Sequence, residues 1–592
     1  MKKCISLLLC LALALSCCAA CAEAAPEAAE PAAHVLEKKE YPVYNGRMTL
    51  LYQALPLYFV DGVNDLPYVD LTDFVAFMND MMNRPVYRGE YVAEYNSYMI
   101  YYEPADSSAL FDFEQRTAFF SNYNTFATVP GKGQIDMLSL TADEPENGSP
   151  SLFKRTTNLV MERPGQSKTI LLGDYDIPMF AQDGKLLLPL HTTFDLLMGK
   201  PGGNGIVCYF NGSEVFVGSH RMHSERKTDP ETGKTLTMKT ETGNKYFSAP
   251  KAQRSPELAQ YGLCELCMEL DTFYGLKDAH HLKSFFELME NTDFYKRLTD
   301  PDPAVADAAL ADFINFYMDD LHSAFIENSY MTGFETELVL NGYGFSRKAD
   351  SANDARYSAA EQQMIPGGRD AYQEVGDTAF VSFNRFVMND LDYYGLNLND
   401  QSCIQDTVSL ILYANRQITR ENSPIKNVVL DLSLNGGGDA DAAVYVIGWF
   451  LGEAVITSMD TFTDAQSTAS YLVDTNLDGL FDDKDSLASK YNLYCLISPV
   501  SFSCGNLVPW VFKASGMVTL MGDTSGGGSC IVLPMSSAWG TSFQVSGNRK
   551  LAFVKNGSFY DVDRGVEPDV VLTKPATFYD REKLVSIIAQ LY

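Results

Sequence analysis

The sequence predicts a mostly parallel α/β domain over residues 371–592, preceded by a helical segment at 255–370 and by β-rich α+β modules at 41–245. Three patterns support this order. Residues 41–245 alternate apolar and polar side chains between NG and DG turns. Residues 255–370 place apolar side chains at helical spacing, and strand-like and helix-like segments alternate after residue 371. Alternating strands and helices favour a parallel sheet covered by helices.

The first 21 residues have the pattern of a secretory signal peptide. Two lysines precede an apolar run at 5–15, which is too short to span a bilayer. Cysteines at 17, 18 and 21 resemble a bacterial lipoprotein site, and ordinary cleavage after residue 20 or 22 is the alternative. The Ala/Glu/Pro-rich residues 22–40 predict a tether. We therefore expect an exported cell-envelope protein that contacts membrane only through an N-terminal lipid anchor, or a secreted one if no lipid is attached.

The region 41–245 contains a faint repeat. Residues 66–78 and 188–198 each follow a DG turn and run from a strand end into a short apolar helix. We expect two duplicated α+β modules that serve as a spacer or a substrate platform.

Composition excludes some partners. The chain has 592 residues, with 45 basic and 76 acidic side chains and a net charge of −31. Such a charge repels nucleic acid and anionic lipid headgroups, so we expect neither as a partner.

In the C-terminal domain, strands are predicted at 378–383, 427–432, 493–497 and 517–521, and helices at 401–418, 440–451 and 506–514. Two of these strands run into turns of small and polar residues. The first turn, LNGGGDA, supplies consecutive glycine N–H groups, and the second, SFSCGN, presents Ser503 where a helix begins. A serine close to free backbone amides suits acyl transfer. The alternative is that Ser503 only caps the helix.

The segments DLSLNGGG, SFSCGN and GMVTLMGDTSGGGS, with RGVEPDVVL and DDLHSAF, are similar to motifs of the tail-specific, or C-terminal-processing, serine peptidases, which include the tricorn core protease. They follow the family's order over residues 255–592. The resemblance implies a ClpP/crotonase-like fold, peptide or protein substrates and chemistry that needs no cofactor. It aligns Ser503 with the nucleophile, and Cys504 N–H with a glycine N–H from Gly436 or Gly437 with the oxyanion hole.

The general base departs from the family's common pattern. Many relatives use a lysine after the nucleophile, but residue 528, or 527, stands there as glycine, and no lysine lies between residues 517 and 548. Tricorn-like relatives use a histidine instead, and the resemblance places His322 in that role, with an imidazole suited to neutral pH. Asp561, Asp563 and Glu567 are candidates for the group that orients it. We name Asp563 as the expected catalytic residue, and the choice among the three stays open.

The segment DTNLDGLFDDKD resembles an EF-hand or dockerin calcium loop. Its spacing predicts a structural Ca²⁺ site, and an acidic turn without metal is the alternative. The predicted ligands are Asp474, Asn476, Asp478, Leu480 through its carbonyl, Asp482 and Asp485.

Two functions remain open from the sequence. The first is an exported serine endopeptidase with Ser503 as nucleophile and His322 as base. The second is a catalytically inactive surface lipoprotein of the same fold that binds peptides or cell-wall material.

Overall fold

The computed structural model describes residues 33–83, 85–126, 151–156, 160–203, 205–228 and 235–591. The predicted signal peptide and the first part of the predicted tether lie outside this range. Residues 36–592 belong to one compact unit. Within the described residues, no helix is both long and apolar enough to cross a membrane.

The C-terminal half is built on a sheet, here called the parallel sheet, with strand order β18-β19-β20-β23-β24-β28. The β18–β19 pair is antiparallel and the remaining pairs are parallel. Both β19 and β20 are buried along their whole length, as expected of central strands covered on both faces by helices. The strands are Tyr372–Val375 (β18), Thr378–Ser382 (β19), Asn427–Asp431 (β20), Asn492–Ile497 (β23), Val518–Gly522 (β24) and Val570–Val571 (β28).

A second sheet takes strands from both the N-terminal and the C-terminal parts of the chain and is therefore called the mixed sheet here. All of its strand pairs among the described residues are antiparallel. Its path is β17-β26-β21-β22-β8, with β25 and β27 pairing β26 and with β9 pairing β22. The strands are Phe153–Arg155 (β8), Val160–Arg163 (β9), Ala324–Glu327 (β17), Ala454–Asp460 (β21), Gln466–Val473 (β22), Cys530–Ser536 (β25), Ser542–Lys555 (β26) and Ser558–Tyr560 (β27).

The N-terminal region forms an accessory sheet with order β11-β12-β3-β2-β1-β14-β13 and a smaller antiparallel sheet with order β10-β7-β6-β5-β4. A further hairpin, β15-β16, follows them. Their strands are Leu36–Asn45 (β1), Leu50–Val60 (β2), Tyr68–Asp70 (β3), Tyr87–Val92 (β4), Ser97–Tyr102 (β5), Ser107–Asp112 (β6), Thr117–Phe120 (β7), Lys168–Ile170 (β10), Phe180–Gln182 (β11), Lys185–Pro189 (β12), Val207–Phe210 (β13), Val215–Gly218 (β14), Ser224–Thr228 (β15) and Thr235–Lys239 (β16).

Several helices begin at a residue whose side chain caps them. Ser255 accepts a hydrogen bond from Leu258 N–H at the start of α4, and Asp406 forms a capping box with Ser409 at the start of α9. The helices are Leu71–Met81 (α1), Leu190–Phe194 (α2), Glu241–Tyr246 (α3), Pro256–Phe273 (α4), Phe285–Glu290 (α5), Phe294–Leu298 (α6), Pro303–Asp312 (α7), Phe345–Met364 (α8), Thr407–Ile418 (α9), Ala440–Leu451 (α10), Cys504–Ser515 (α11), Pro575–Phe578 (α12) and Arg581–Ile588 (α13). Single π-helical segments follow α2 and α7, at Asp195–Gly199 and Phe313–Met318.

The predicted fold class is confirmed: an α/β domain follows a helical segment and a β-rich region. Two details of the domain scheme differ. The repeats at 66–78 and 188–198 do not form separate modules, because β3 and β12 pair directly in the accessory sheet. The predicted boundary at 245 is also crossed, since β8 and β9 pair with β22 of the mixed sheet. A hydrophobic pattern shows which face of a strand is buried but not which strand is its neighbour.

Candidate active site

Ser503 lies at the turn between β23 and α11. Its backbone has φ 56° and ψ −121°, a conformation that is costly for a residue with a side chain. The turn is fixed by hydrogen bonds from Phe502 N–H to Asn435 O at 3.0 Å and from Ser503 N–H to Gly527 O at 2.9 Å. The Ser503 side chain makes no capping hydrogen bond to the helix. Helix capping by Ser503, the alternative that the sequence left open, therefore does not explain the strained backbone of this turn.

The glycine turn after β20 packs directly on Ser503. A Cβ atom on Gly437, where φ is +101°, would lie 2.6 Å from Ser503 Cβ and 3.1 Å from Ser503 Oγ, so only glycine fits. Gly437 N–H donates to Asn435 Oδ1 at 2.9 Å, and Gly436 N–H donates to Asn384 O at 3.3 Å. Both predicted glycine amides thus have partners within the protein, and their role in an oxyanion hole stays a prediction.

Cys504 follows Ser503 as the first residue of α11, where backbone N–H groups have no partner within the helix. Its thiol contacts Gly438 O at 3.2 Å, and burial raises the pKa of Cys504 to about 12. A thiol with this pKa stays protonated at neutral pH and is a poor nucleophile. At this turn the hydroxyl of Ser503 is therefore the better candidate nucleophile, and Cys504 can contribute its N–H.

His322 lies beside the nucleophile turn, although it precedes Ser503 by about 180 residues in the sequence. Its ring packs against the Phe502 ring with 4.6 Å between centroids, and only 7% of the residue is exposed. β17, which begins two residues later, pairs with β26 of the mixed sheet. Gln544 on β26 donates to His322 O at 2.7 Å. The pairing of β17 with β26 therefore fixes the backbone at His322.

The loop that carries His322 is held by Asp320. Its carboxylate accepts hydrogen bonds from Tyr274 Oη at 3.0 Å, Ser323 Oγ at 2.6 Å and Ser546 Oγ at 2.7 Å. Arg347 binds the backbone oxygen of Asp320 at 2.8 Å. Because these bonds use the Asp320 carboxylate fully, it positions the loop and is not free to orient the His322 ring.

Gly528 occupies the position where many relatives have the lysine. A Cβ atom there would lie 2.6 Å from the Phe502 ring and 3.2 Å from His322 Cε1. A Cβ on the alternative position, Gly527, would instead lie 2.2 Å from Asp563 O. The imidazole of His322 thus fills space next to Gly528 into which a side chain at that position would extend.

Of the three acidic candidates, Asp563 lies close enough to His322 for its charge to act on the imidazole. The negative charge of Asp563, after that of Asp320, raises the pKa of His322, although burial outweighs both and leaves that pKa below 6.5. Asp563 Oδ1 accepts from Ser529 N–H at 3.1 Å and from Ser529 Oγ at 3.3 Å. Oδ2 of Asp563 accepts no hydrogen bond from the described residues.

The other two acidic candidates are engaged or exposed. Asp561 forms an ion pair with Lys550 at 2.6 Å and accepts from Asp563 N–H at 3.0 Å. Glu567 is exposed, and its backbone oxygen accepts from Lys513 Nζ at 2.6 Å. Asp563 is therefore the favoured candidate of the three. No sequence pattern singled out Lys550, the partner that engages Asp561.

A buried ion cluster supports the turn after β20. Asp431, at the end of β20, is paired with Arg369 at 2.8 Å and with Arg581 at 3.0 Å. These two charges and Ser433 hold the pKa of Asp431 at about 2 despite its burial. Arg369 also donates to Asn384, whose backbone oxygen accepts from Gly436. The cluster thus anchors both sides of the glycine turn.

Asn506 and Ser525 link α11 to residues 562–571, here called the closing segment, a link that no sequence pattern indicated. Asn506 Nδ2 donates to Val562 O at 2.7 Å, and its Oδ1 accepts from Ser525 Oγ at 2.7 Å. Val566 N–H donates to Ser525 Oγ at 2.7 Å. Asp563 lies between these two attachment points, so its position relative to α11 is fixed by them.

The predicted calcium loop uses its side chains for backbone hydrogen bonds. Asp474 accepts from Leu477 N–H at 2.7 Å and Gly479 N–H at 2.9 Å, and Asp485 accepts from Thr475 N–H at 2.8 Å. Within this fully described loop, no three acidic side chains bring an oxygen each to within 4.8 Å of one another. The six predicted ligands do not converge here, and calcium binding stays a prediction.

Comparison with known protein families gives one match. Residues 410–572 match the model of peptidase family S41. This range contains the glycine turn, Ser503, Cys504 and Asp563. It also includes β24 and the closing segment, whereas His322 lies upstream of it. No curated protein matches the chain.

Solved structures give more distant similarities. The photosystem II D1 C-terminal processing protease is 18% identical with a TM-score of 0.26, over 37% of this chain and 49% of that one, so the alignment spans about half of that protein. A lipoprotein from Streptococcus agalactiae is 13% identical with a TM-score of 0.34, over 56% of this chain and 96% of that one. The tricorn protease is 12% identical with a TM-score of 0.30, over 84% of this chain and 45% of that one.

Proposed function

We propose that the protein is an exported serine endopeptidase with Ser503 as nucleophile and His322 as general base. The match of residues 410–572 to peptidase family S41, a serine peptidase family, supports this proposal. The observation that supports this choice most directly is at Gly528. The family's common lysine is replaced by glycine, and the His322 ring lies 3.2 Å from where a Cβ would be. The imidazole takes the place of the missing amine beside the nucleophile turn.

The proposed reaction begins with attack of Ser503 Oγ on the carbonyl carbon of a peptide bond. His322 accepts the hydroxyl proton, and the Ser503–acyl bond forms. Cys504 N–H, at the start of α11, and backbone amides of the glycine turn stabilise the oxyanion. For Gly436 or Gly437 to contribute, its N–H must exchange its present acceptor, Asn384 O or Asn435 Oδ1, for the substrate oxygen.

His322 then donates its proton to the leaving amine, and the peptide bond breaks. In the second half-reaction, His322 activates a water molecule that hydrolyses the acyl-enzyme. Asp563 supports both steps, because a carboxylate beside the ring stabilises the imidazolium that forms. Burial favours the neutral ring before the reaction, since it lowers the pKa of His322. The substrate is a peptide or protein, and no metal is required for these steps.

Export and lipid attachment are part of the proposal. They rest on the apolar run and the cysteines of the first 21 residues. Radiolabelled palmitate incorporated in a bacterial host, and lost when the cysteines at 17, 18 and 21 are all replaced by serine, supports the lipid anchor. Protein in the medium without label supports secretion instead.

The activity is tested by fluorophosphonate labelling of residues 23–592. We expect the wild type to be labelled, Ser503→Ala to be unlabelled and His322→Ala to be labelled much more slowly. Ser515→Ala, at the exposed end of α11, and His281→Ala, an exposed histidine, are the matched controls and should label like the wild type.

If only Ser503→Ala loses labelling, Ser503 is supported as the nucleophile and His322 is rejected as the base. A folded wild type that is not labelled would reject the peptidase and support the inactive peptide- or cell-wall-binding protein.

A further inference from the structure

A second cluster of titratable side chains lies outside the active site, between α2 and α4. His191 and Asp195 are four residues apart on α2 and the π-helical segment that follows it, and Glu265 and Glu269 are four residues apart on α4. This spacing places each pair on one helix face. One nitrogen or oxygen from each of the four side chains lies within 4.8 Å of the others.

The cluster is buried and its oxygens lack partners. Asp195, Glu265 and Glu269 are fully buried, and His191 is 9% exposed. Asp195 Oδ2, Glu265 Oε2 and both carboxylate oxygens of Glu269 accept no hydrogen bond. Buried polar atoms are nearly always satisfied, because each one left without a partner costs about 1–3 kcal/mol. Several such atoms converging on one point therefore indicate a missing partner.

The charges give the sign of that partner. Lys200 Nζ lies 3.0 Å from Asp195 Oδ1 and 3.8 Å from Glu269 Oε1, the latter beyond hydrogen-bond distance. Three carboxylates and one ammonium leave two uncompensated negative charges when His191 is neutral. Buried charge of this size must be neutralised, either by protons on Glu269 and His191 or by a cation.

The donor set distinguishes among cations. Three carboxylates with one imidazole suit a divalent transition metal such as Mn²⁺ or Zn²⁺ better than Ca²⁺, whose ligands are oxygens. His191 Nδ1 lies 2.6 Å from Glu265 Oε1 and 3.4 Å from Asp195 Oδ2, so this nitrogen faces the carboxylates. Its Nε2 lies 2.9 Å from Ser536 Oγ, a contact that fixes the ring and leaves Nδ1 for the site.

We propose that His191, Asp195, Glu265 and Glu269 bind one divalent transition-metal ion. The ion joins three parts of the molecule: α2, which follows β12 of the accessory sheet; α4 of the helical segment; and, through His191 and Ser536, β25 of the mixed sheet. Its role is to brace the N-terminal region on the C-terminal half, and it takes no part in the proposed peptidase chemistry.

The test measures metal directly in residues 23–592. Protein purified without chelators is expected to contain about one equivalent of Mn²⁺ or Zn²⁺ by elemental analysis. After EDTA treatment and its removal, titration with Mn²⁺, followed by the loss of its free-ion electron paramagnetic resonance signal, should show one tight site and an increase in Tm.

Glu269→Gln is the decisive variant, because it keeps the shape of the side chain but removes its charge. We expect it to weaken Mn²⁺ binding at the tight site by more than about 10–100-fold, the range seen for residues that only support metal ligands. Glu257→Gln, exposed on the same helix, is the matched control and should bind like the wild type.

A wild type that binds neither Mn²⁺ nor Zn²⁺ would overturn the proposal and assign the charge balance to protons. Equal tight binding by wild type and Glu269→Gln would also overturn it. If Glu269→Gln fails to fold, the metal content and titration of the wild type decide alone. None of these measurements depends on peptidase activity.

Discussion

At the scale of single residues, the site is defined by what small side chains permit. Gly437 lets the turn after β20 contact Ser503, and Gly528 leaves room for the rings of Phe502 and His322. Both glycines have positive φ angles, which residues with a Cβ adopt only at a cost. The histidine-based arrangement thus requires the absence of a side chain at 528 as well as the presence of His322.

We expect Gly528→Ala to lower kcat by about 10²-fold, because displacing a catalytic group by about 1 Å has an effect of that size. The new methyl group would meet Phe502 and push the His322 ring. Peptide hydrolysis and Tm are measured together. Gly516→Ala is the control: Gly516 has a φ of +68° but no atom within 4 Å of its Cβ position, so backbone strain is similar and the site is untouched. Equal kcat values for the two variants would contradict the conclusion that Gly528 leaves room for the His322 ring.

The pH dependence follows from the neutral form that a general base needs. Burial lowers the pKa of His322 below 6.5, so the acidic limb of kcat/KM is expected below pH 6.5. The negative charge of Asp563 raises this pKa, and Asp563→Asn should therefore move the limb to still lower pH while reducing kcat. The measurement is the pH profile of peptide hydrolysis for both proteins. A limb that moves to higher pH in Asp563→Asn would reject Asp563 as the neighbour of the base.

At the scale of elements, the ends of strands carry the chemistry and buried charges hold those ends. Asp431 ends β20, Ser503 follows β23, and both strands are central in the parallel sheet. Arg369 and Arg581 reach the end of β20 from the segment before β18 and from α13, so the glycine turn depends on distant parts of the chain.

We expect Asp431→Asn to lower the free energy of unfolding by about 3–5 kcal/mol, because it leaves two buried arginines without their shared partner. The folded-state pKa of Asp431 is lowered to about 2, so its stabilising effect is present above pH 3.8 and is lost as pH falls toward 2. Urea unfolding at pH 7 and at pH 3 measures both effects. The difference between wild type and variant should shrink at pH 3, and an unchanged difference would contradict the assignment.

For the loop at 474–485, we propose that Ca²⁺ binds by rearranging hydrogen bonds that its carboxylates now make to the backbone. The expected result is an increase in Tm on adding Ca²⁺ after EDTA removal. Asp478→Asn should abolish this increase, whereas Glu453→Gln, on the short turn before β21, should not. An equal increase in both variants would reject the loop as the site.

At the scale of the whole molecule, the N-terminal region is a structural part of the C-terminal half. β8 and β9 extend the mixed sheet on β22. Tyr209 Oη lies 2.7 Å from Ser542 Oγ, and Tyr246 Oη donates to Gly540 O at 2.7 Å. These contacts are buried, so the region does more than act as a spacer.

Residues 246–592 expressed alone are therefore expected to aggregate or to unfold without a cooperative transition. Deletion exposes one edge of β22 and the apolar surface that packs on the accessory sheet, and an exposed strand edge promotes aggregation. Circular dichroism during heating and size-exclusion chromatography compare this fragment with residues 36–592. A monomeric fragment with a cooperative transition would contradict the expectation.

The sequence predicted the parts of the fold that have local patterns. The buried strand over residues 427–432 and the small-residue turn after it were readable, because apolar runs and glycines act locally. The pairing of β8 with β22 was not, since no local pattern records a neighbour about 300 residues away. For the site, the resemblance to tail-specific peptidases suggested His322 and Asp563, whereas the choice of Asp563 over Asp561 needed the ion pair with Lys550.

The order of the site residues along the chain also affects biosynthesis. The loop with His322 is made before the parallel sheet, and Asp563 is made almost last. A nascent chain that ends before residue 563 thus lacks one of the proposed reacting groups, and a cut between residues 322 and 563 separates them. Under the proposed mechanism, peptide hydrolysis therefore begins only after nearly the whole polypeptide has been made and has folded.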